Sequence, residues 1–317
     1  MQVAEWKLLQ RLPTLSLSQL NPHLEALIQN KQGSAALYQK LAERCVELTA
    51  SAAETDLETS IKLLTCVKAG DTIGQFYAKA LPRVSEMIKT LPGERAASVV
   101  VAYAAAGVVS PALYQQANTV LKPVAAQLQP ALAVKLANWL APYLQPLPEN
   151  STFYPELEQV PLQSCSQAVS LLQGFVKARK GSYSFLNRIS AFILSDTSAL
   201  PDHLQSAAIH YLCKSGLQDA DTFAELERRA IGLDVRRGVG SAFDLASAGY
   251  RPDLLLTALR GKAQDFQDVR DLICLEWVYR LGGQPLPNEL ETVKSFLLLH
   301  GLHVSSYLLA RRLSTLN

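Results

Sequence analysis

Residues 100–114 read VVAYAAAGVVSPALY, and the pattern in this stretch recurs along most of the chain. Relative to Gly107, apolar residues stand seven, four and three positions before it and six and seven positions after it. We call Gly107 an anchor. The three preceding positions stay apolar when the anchor is moved to Lys31, Gly70, Tyr143, Arg179, Gly216, Gly249 and Gly282.

The spacing of the anchors identifies the kind of repeat. Successive anchors lie 33 to 39 residues apart, as in helical-hairpin repeats. The preceding apolar positions form one stripe on a helix, and the glycines found at most anchors favour the left-handed conformation that ends many helices. One hairpin cannot bury such a stripe alone, so hairpins stack in order. We therefore predict an all-α fold, an α-solenoid of about eight helical-hairpin repeats with terminal capping helices.

The repeat pattern is interrupted once. Residues 146–161, PLPENSTFYPELEQVP, contain four prolines and little periodicity. This predicts a connecting loop between an N-terminal helical-repeat lobe, residues 1–145, and a C-terminal lobe, residues 162–317. Within the lobes, Asn21-Pro22 predicts a helix start, with Asn as cap and Pro in the first turn. Residues 304–313 predict the closing cap.

Composition limits the function classes. The net charge of +2 over 317 residues argues against a dominant electrostatic grip on nucleic acid. The five cysteines form no CxxC pair, which favours reduced, buried packing residues in an intracellular compartment. No apolar run is long enough for a membrane span. Residues 1–18 are amphipathic and fit either a mitochondrial targeting remnant or a capping helix, and we favour the cap.

The polar motifs do not indicate an enzyme. His300 and His303 lack further ligands for zinc, and nothing near Cys165 would activate a thiolate. Residues 237–240, RGVG, lack the strand and third glycine of a phosphate loop and predict a turn between repeats. The mixed charges of residues 225–237 predict a solvated face with weak ion pairs. We therefore expect no catalytic residues, no cofactor, no small-molecule substrate and no metal.

One polar stretch, residues 177–188, has the composition of a nucleic-acid contact. Cations beside an aromatic ring can hold phosphates and stack a base. The candidate RNA-binding residues are Lys177, Arg179, Lys180, Tyr183 and Arg188. The alternative is an ordinary repeat loop with solvated cations, in which Phe185 fills its core position.

Two segments also carry a family resemblance. Residues 102–107, AYAAAG, followed by Pro111, and residues 136–140, LANWL, following Leu128-Gln129-Pro130, resemble octotricopeptide and heptatricopeptide repeats. Such repeats occur in organellar proteins, including those related to FAST kinase-like proteins with RAP domains, although no RAP domain is evident here. The resemblance implies an organellar protein, mitochondrial or chloroplast, whose partners are RNA or the subunits of large complexes. We expect a mitochondrial location on the matrix side, with a soluble intracellular location as the alternative.

Two functions follow as expectations. The first is a non-catalytic scaffold or adaptor subunit of a large mitochondrial assembly, either a ribonucleoprotein or an energy-transducing complex. The long repeat without a convergent polar site supports it, because solenoids present long surfaces to protein partners. The alternative is an organellar RNA-binding factor that acts in RNA processing or translation through residues 177–188 and contacts single-stranded RNA or rRNA.

Overall fold

The computed structural model describes residues 2–67, 70–195 and 200–299, and these residues are helical without strands. Their α-helices, in chain order, are α1 (Gln2–Arg11), α2 (Leu17–Gln29), α3 (Ala35–Leu48), α4 (Glu54–Leu64), α5 (Asp71–Thr90), α6 (Gly93–Ala105), α7 (Pro111–Leu121), α8 (Pro130–Leu144), α9 (Tyr154–Leu157), α10 (Cys165–Ala178), α11 (Tyr183–Ser195), α12 (Asp202–Lys214), α13 (Ala220–Ala230), α14 (Val235–Ser247), α15 (Asp253–Gly261), α16 (Val269–Leu281) and α17 (Asn288–Leu299). The predicted all-α class is confirmed.

The contacts divide the chain into two compact units. Among the described residues, those of 1–162 together with 177–181 form the first unit, and those of 163–176 together with 182–299 form the second. In the first unit, α2, α4, α6 and α8 pack in succession as one layer, and α3, α5 and α7 as the other. In the second, α12, α14 and α16 form one layer, and α11, α13 and α15 the other. Each unit therefore stacks hairpins in sequence order, as in a solenoid.

The anchors mark the ends of helices, as the sequence predicts. Six anchors have positive φ, namely Lys31, Gly70, Gly107, Arg179, Gly216 and Gly249. At Gly107 the N–H of Val108 donates to the carbonyl of Tyr103 at 3.2 Å, and the Gly107 N–H donates to Ala104 at 3.0 Å. This pair of bonds is a Schellman motif, which satisfies carbonyls left free at a helix end. The same pair of bonds recurs at Lys31 and Gly249.

Two anchors are wrong. Gly283, not Gly282, has the positive φ of 71° and carries the Schellman bonds. Tyr143 lies inside α8, which continues to Leu144. Its repeat also differs at Trp139, which occupies an apolar position of the stripe but is exposed. The anchor pattern therefore follows buried positions well but assigns individual chain reversals less well.

A matched pair of substitutions measures the cost of the left-handed turn. Lys31→Gly should raise the free energy of unfolding by about 0.5–1 kcal/mol, because φ of 51° is unfavourable for a side chain and free for glycine. Gly107→Ala should lower it by about 1–2 kcal/mol. An added Cβ there meets no atom within 4 Å, so the cost is in the backbone alone. Urea titration followed by circular dichroism measures both changes. A less stable Lys31→Gly or a more stable Gly107→Ala would contradict the assignment of a left-handed turn.

Several other local predictions need correction. α2 begins at Leu17 behind a capping box formed by Ser16 and Gln19, so Pro22 lies inside the helix. Asn21 is buried and is not a cap; its Nδ2 donates to the carbonyl of Asp56 at 2.9 Å. Residues 237–240 lie within α14 and form no turn. Residues 300–317, with His300, His303 and the predicted closing cap, lie outside the described residues.

Charged side chains from one repeat satisfy the helix ends of the next. Carboxylates accept bonds from backbone N–H groups that lie about one repeat later in the chain. These bonds run from Ser34 N–H to Glu5 at 3.0 Å, from Gln129 N–H to Glu94 at 3.3 Å, from Gly181 N–H to Glu149 at 2.8 Å and from Leu255 N–H to Glu227 at 3.0 Å. The Leu255 N–H lies in the first turn of α15, where no intrahelical carbonyl can accept it, so Glu227 takes the place of a local cap. The other three N–H groups lie just before the helices that follow them.

Arginine and lysine side chains make the converse contacts: they donate hydrogen bonds to backbone carbonyls that lie about one repeat earlier in the chain. The bonds run from Arg44 to Leu15 O at 3.2 Å, from Arg83 to Thr49 O at 2.7 Å, from Arg229 to Leu194 O at 2.6 Å and from Lys262 to Leu233 O at 3.0 Å. We call these bonds, and the carboxylate bonds above, inter-repeat clips. Glu227 is buried and Arg229 is a clip, so the solvated face predicted for residues 225–237 is wrong in this part.

Glu58 is a buried carboxylate that joins two helices of one layer. Its Oε2 accepts from Arg95 Nε of α6 at 2.9 Å, and its Oε1 accepts from Lys62 at 2.6 Å. Burial alone would raise the pKa of Glu58, but the hydrogen bonds from Arg95 and Lys62 outweigh it and lower the pKa below the usual 4.5. The charged carboxylate is therefore the form that the fold favours.

The stability of the first unit should therefore fall in acid. A carboxyl group with a lowered pKa in the folded state contributes stability above its unfolded pKa and loses it as the pH falls through the folded pKa. Urea titrations from pH 7 down to pH 3 should show this loss below about pH 4.5. Glu58→Gln should be less stable at pH 7 and should depend less on pH. An unchanged pH dependence in the variant would contradict this role.

Candidate functional site

The predicted basic patch divides between the two units. Lys177, Arg179 and Lys180 belong to the first unit, whereas Tyr183 and Arg188 belong to the second. Lys177 and Arg179 are exposed at the end of α10. Lys180 forms an inter-repeat clip, because its Nζ donates to the carbonyls of Gln145 at 3.2 Å and Leu147 at 2.6 Å. The Lys180 ammonium group therefore satisfies one backbone carbonyl at the end of α8 and one at the start of the proline-rich segment.

The aromatic part of the patch is more open. Tyr183 is the first residue of α11 and is exposed. Arg188 lies with its guanidinium 5.8 Å from the centre of the Phe185 ring, and Phe185 is buried as its repeat position predicts. Tyr183 thus has the free ring face that base stacking needs, while Arg188 packs over a core residue.

The structure also reveals a groove that the sequence analysis missed. α12 and α14 border an open groove of about 560 Å³, lined by residues 203–211 and 234–244 of the second unit. The lining includes residues able to donate or accept protons and hydrogen bonds, namely His203, Ser206, His210, Tyr211, Asp234, Arg236, Arg237 and Asp244. We call this the α12/α14 groove. From sequence alone, Arg236 and Arg237 are predicted to lie on a solvated face.

His210 and Asp244 form the main polar contact across the groove. His210 Nδ1 lies 3.0 Å from each carboxylate oxygen of Asp244, and both side chains are partly exposed. Asp234 caps α14 through the Arg237 N–H at 2.9 Å and also pairs with the Arg237 guanidinium. Both acids of the groove are therefore occupied by partners in the groove itself.

The His210–Asp244 pair has equivalents in the adjacent repeats. Gln173 Nε2 donates to Tyr211 Oη at 2.6 Å, and the rings of Phe243 and Trp277 lie 4.7 Å apart. Each pair joins the sixth residue before one anchor to the fifth before the next. A repeated packing position therefore explains the histidine–carboxylate pair without catalysis. Aligning the repeats would have shown these positions together.

A second, apolar cleft lies where α14 turns into α15 and α16 ends. It encloses about 280 Å³ and is lined by Tyr250, Pro252, Leu256 and Leu281 among others. Leu281 is 54% exposed there. Leu254, the second residue of α15, is 57% exposed but does not line the cleft. We call this the turn cleft. An exposed aliphatic side chain at a concave apolar opening is a feature of partner-binding surfaces.

The cysteines are predicted to be buried, and the structure confirms this for only some of them. Cys45 and Cys165 are buried, and burial raises the pKa of Cys45 to about 12, so its thiol stays protonated. Cys66 is exposed, which contradicts its predicted burial, and Cys213 and Cys274 are half-buried. Within residues 2–67, 70–195 and 200–299, no group of three or more His, Cys, Asp or Glu is placed to hold a metal ion.

Comparisons with known proteins identify no relative. No protein-family model matches this chain, and no curated protein matches it significantly. Over the part of the chain that is described, none of the helices combines the length and apolar character needed to cross a membrane. The resemblance to octotricopeptide and heptatricopeptide repeats stays a prediction.

Proposed function

We propose that this protein is a non-catalytic scaffold that binds other protein subunits of a large assembly. The turn cleft is the observation that supports it most directly. Leu281 is a large aliphatic side chain more than half exposed at a concave apolar opening, and Leu254 of α15 is a further aliphatic side chain more than half exposed. A partner segment with an apolar side chain in the cleft would remove Leu281 from water, at about 25 cal/mol for each Å² buried.

The use of charge in the fold also supports a binding role. Clips such as Glu227 and Arg229 direct charged groups towards helix ends, where they hold adjacent repeats together. The repeats are thereby fixed relative to one another within each unit, and a fixed surface loses little conformational entropy on binding. A scaffold benefits from this property, because its task is to hold partners in place.

The assembly is proposed to be mitochondrial, on the matrix side, and to be a ribonucleoprotein or an energy-transducing complex. The support is the likeness of residues 102–107 and 136–140 to organellar helical repeats. Fractionation of cells expressing the tagged full chain tests the location. Recovery outside mitochondria would remove this part and leave the scaffold proposal intact.

Affinity purification under native conditions tests the scaffold function. The tagged full chain should recover a constant set of proteins in fixed ratios. Leu254→Ser and Leu281→Ser together should release at least one of them, because both side chains are exposed and their loss removes apolar contact. Val109→Ser is the matched control, since Val109 is 75% exposed in the first unit, away from the turn cleft.

Two results would overturn the scaffold function. One is recovery of the wild-type chain as a lone monomer from native lysate. The other is equal loss of partners in the Val109→Ser control, since that would reflect general surface change. Circular dichroism should show the same helix content and melting temperature for all three proteins.

Contact with single-stranded RNA is the second candidate, favoured by the exposed Lys177 and Arg179 and the exposed ring of Tyr183. Each phosphate contact to a single strand contributes about 0.7 to the slope of log affinity against log salt. Lys177→Ala with Arg179→Ala should therefore reduce that slope by about 1.4. No binding at low salt would remove this candidate, and Lys180→Ala should lower stability more than affinity because Lys180 is a clip.

A further inference from the structure

A further cavity, in the first unit, lies between α1, α2 and the turn that leads into α3. It encloses about 390 Å³, which is within the size range of pockets that bind small molecules. Its apolar lining consists of Leu8 of α1, Ala26 and Leu27 of α2, and Leu37 of α3. Leu37 is fully buried, so it forms the floor of the cavity. We call this cavity the N-terminal cleft.

The two ends of the N-terminal cleft differ in charge. At one end, the Glu5 carboxylate accepts from the Ser34 N–H at 3.0 Å and from the Ser34 hydroxyl at 3.1 Å, which ties α1 to the start of α3. Arg11 lies six residues after Glu5 on α1, and His23 lies six residues before the end of α2, so both are about 9 Å from this end along the helix axes. The cleft is therefore closed by hydrogen bonds at one end and has a guanidinium and an imidazole at the other.

The basic groups of the N-terminal cleft are not neutralised by the fold. Lys7, Arg11 and His23 line it and are exposed, and their side chains form no hydrogen bond or ion pair with residues 2–67, 70–195 or 200–299. Among the described residues that line the cleft, Glu5 is the only acid, and both of its oxygens bond to Ser34. Positive charge therefore adjoins an apolar floor, and the carboxylate of the cleft is already occupied.

We propose that the N-terminal cleft binds a small amphiphile, an alkyl carboxylate whose chain covers the leucines of the cleft and whose carboxylate pairs with Arg11. A guanidinium pairs with a carboxylate through charge-assisted hydrogen bonds, and the His23 imidazole adds a further donor. Burial of the chain against the leucines supplies the apolar part of the affinity. The hydrogen bonds that close one end favour a small molecule, because an extended protein segment needs a groove open at both ends. This site goes beyond the scaffold function proposed for the turn cleft and does not depend on it.

Isothermal titration calorimetry with the full chain tests the site. Decanoate, decanol and decyltrimethylammonium share one chain and differ in charge, and each is used below the concentration at which it forms micelles. Decanoate should bind at least about tenfold more tightly than the other two. Octanoate should bind about tenfold more weakly than decanoate, because its chain buries two fewer methylene groups.

Two variants test the charge and the shape of the cleft separately. Arg11→Gln should remove most of the preference for decanoate over decanol, whereas Lys135→Gln, an equal charge change at an exposed position of α8, should preserve it. Ala26→Leu places a larger side chain in the cleft at an exposed position, so it should weaken decanoate binding about tenfold. Ala131→Leu, at an exposed position of α8, is the matched control. Circular dichroism should show the same helix content for all four variants.

Several results would overturn the proposal. They are absence of decanoate binding, equal affinity for decanoate and decanol, full decanoate binding by Arg11→Gln or Ala26→Leu, and equal losses in the two control variants. Tighter binding of a short peptide of alternating Leu and Asp than of decanoate would assign the cleft to a protein segment and would also overturn it. Native purification through Leu254 and Leu281 does not involve this cleft, so failure of either proposal leaves the other in place.

Discussion

Replacing Glu227 with alanine is expected to lower the free energy of unfolding of the second unit by about 2–4 kcal/mol. Glu227 is buried in α13, and its two carboxylate oxygens accept from the Leu255 N–H at 3.0 Å and from the Tyr250 hydroxyl at 2.9 Å. Alanine leaves both donors without their acceptor. The Leu255 N–H lies in the first turn of α15, where no intrahelical carbonyl can replace it.

Urea titration with circular dichroism measures this loss. Glu227→Gln keeps an acceptor for one of the two donors, so it should lower the free energy of unfolding less than Glu227→Ala does. Glu291→Ala removes an exposed carboxylate of the same unit and should change stability by no more than about 0.5 kcal/mol. A loss in Glu227→Ala no larger than in this control would show that the clip contributes little.

Tyr250 gives an independent readout of the same clip. Burial and, after it, the hydrogen bond to the Glu227 carboxylate together raise the pKa of Tyr250 to about 12. In Glu227→Ala the pKa should therefore be lower than in the wild type. A tyrosine whose pKa is raised by folding gives stability below its unfolded pKa and loses it as the pH rises through the folded value. Alkaline titration by ultraviolet absorbance follows the ionisation directly.

The turns of this fold follow from local sequence. Gly107 and Gly249 are anchors because the positive φ after each helix excludes most other residues. The same reasoning misplaced Gly282 by one residue, because two adjacent glycines, Gly282 and Gly283, satisfy the rule equally. A positive φ is not required at Tyr143, and only the apolar residues before it indicated an anchor at this position. Local chemistry identifies a chain reversal where glycine is required and loses accuracy elsewhere.

The clips could not be predicted in the same way. The Glu227 carboxylate and the Leu255 N–H are separated by 28 residues, and a sequence does not show which acid reaches which helix end. Glu225 and Glu227 have the same residue type two positions apart, yet Glu225 pairs with Arg228 and Arg229 near the surface while Glu227 is buried. Only the stacking of adjacent repeats distinguishes them.

The candidate groove was missed for a related reason. In the sequence, neither Ala207 nor Gly240 alone indicates a groove, and Arg236 is an ordinary surface cation. The groove depends on two repeats placing small residues at the same position. Comparison of the repeats with one another, in place of a search for known motifs, is the operation that would have found it.

The proline-rich segment depends on one buried amide, and its loss should be costly. Asn118 of α7 donates from Nδ2 to the carbonyl of Ser151 at 2.7 Å, and its Oδ1 accepts from the Phe153 N–H at 3.0 Å. Phe153 and Tyr154, which follow directly, are buried in the first unit. Asn118→Leu should therefore lower the free energy of unfolding by about 1–3 kcal/mol, because the buried Phe153 N–H loses its acceptor and the Ser151 carbonyl loses its donor.

The same variant should expose residues 146–161 to proteolysis. A glutamate-specific protease can cut after Glu149, Glu156 and Glu158 once the segment leaves the surface of α7, and mass spectrometry identifies the cuts. Asn118→Asp keeps the acceptor for the Phe153 N–H but loses the donor to Ser151, so it should be intermediate in both stability and cleavage. Gln115→Leu makes the same apolar change on the exposed side of α7 and should behave as the wild type. Rapid cleavage in the wild type, or wild-type resistance in Asn118→Leu, would show that this amide does not hold the segment, since a segment anchored mainly by Phe153 and Tyr154 would stay protected without it.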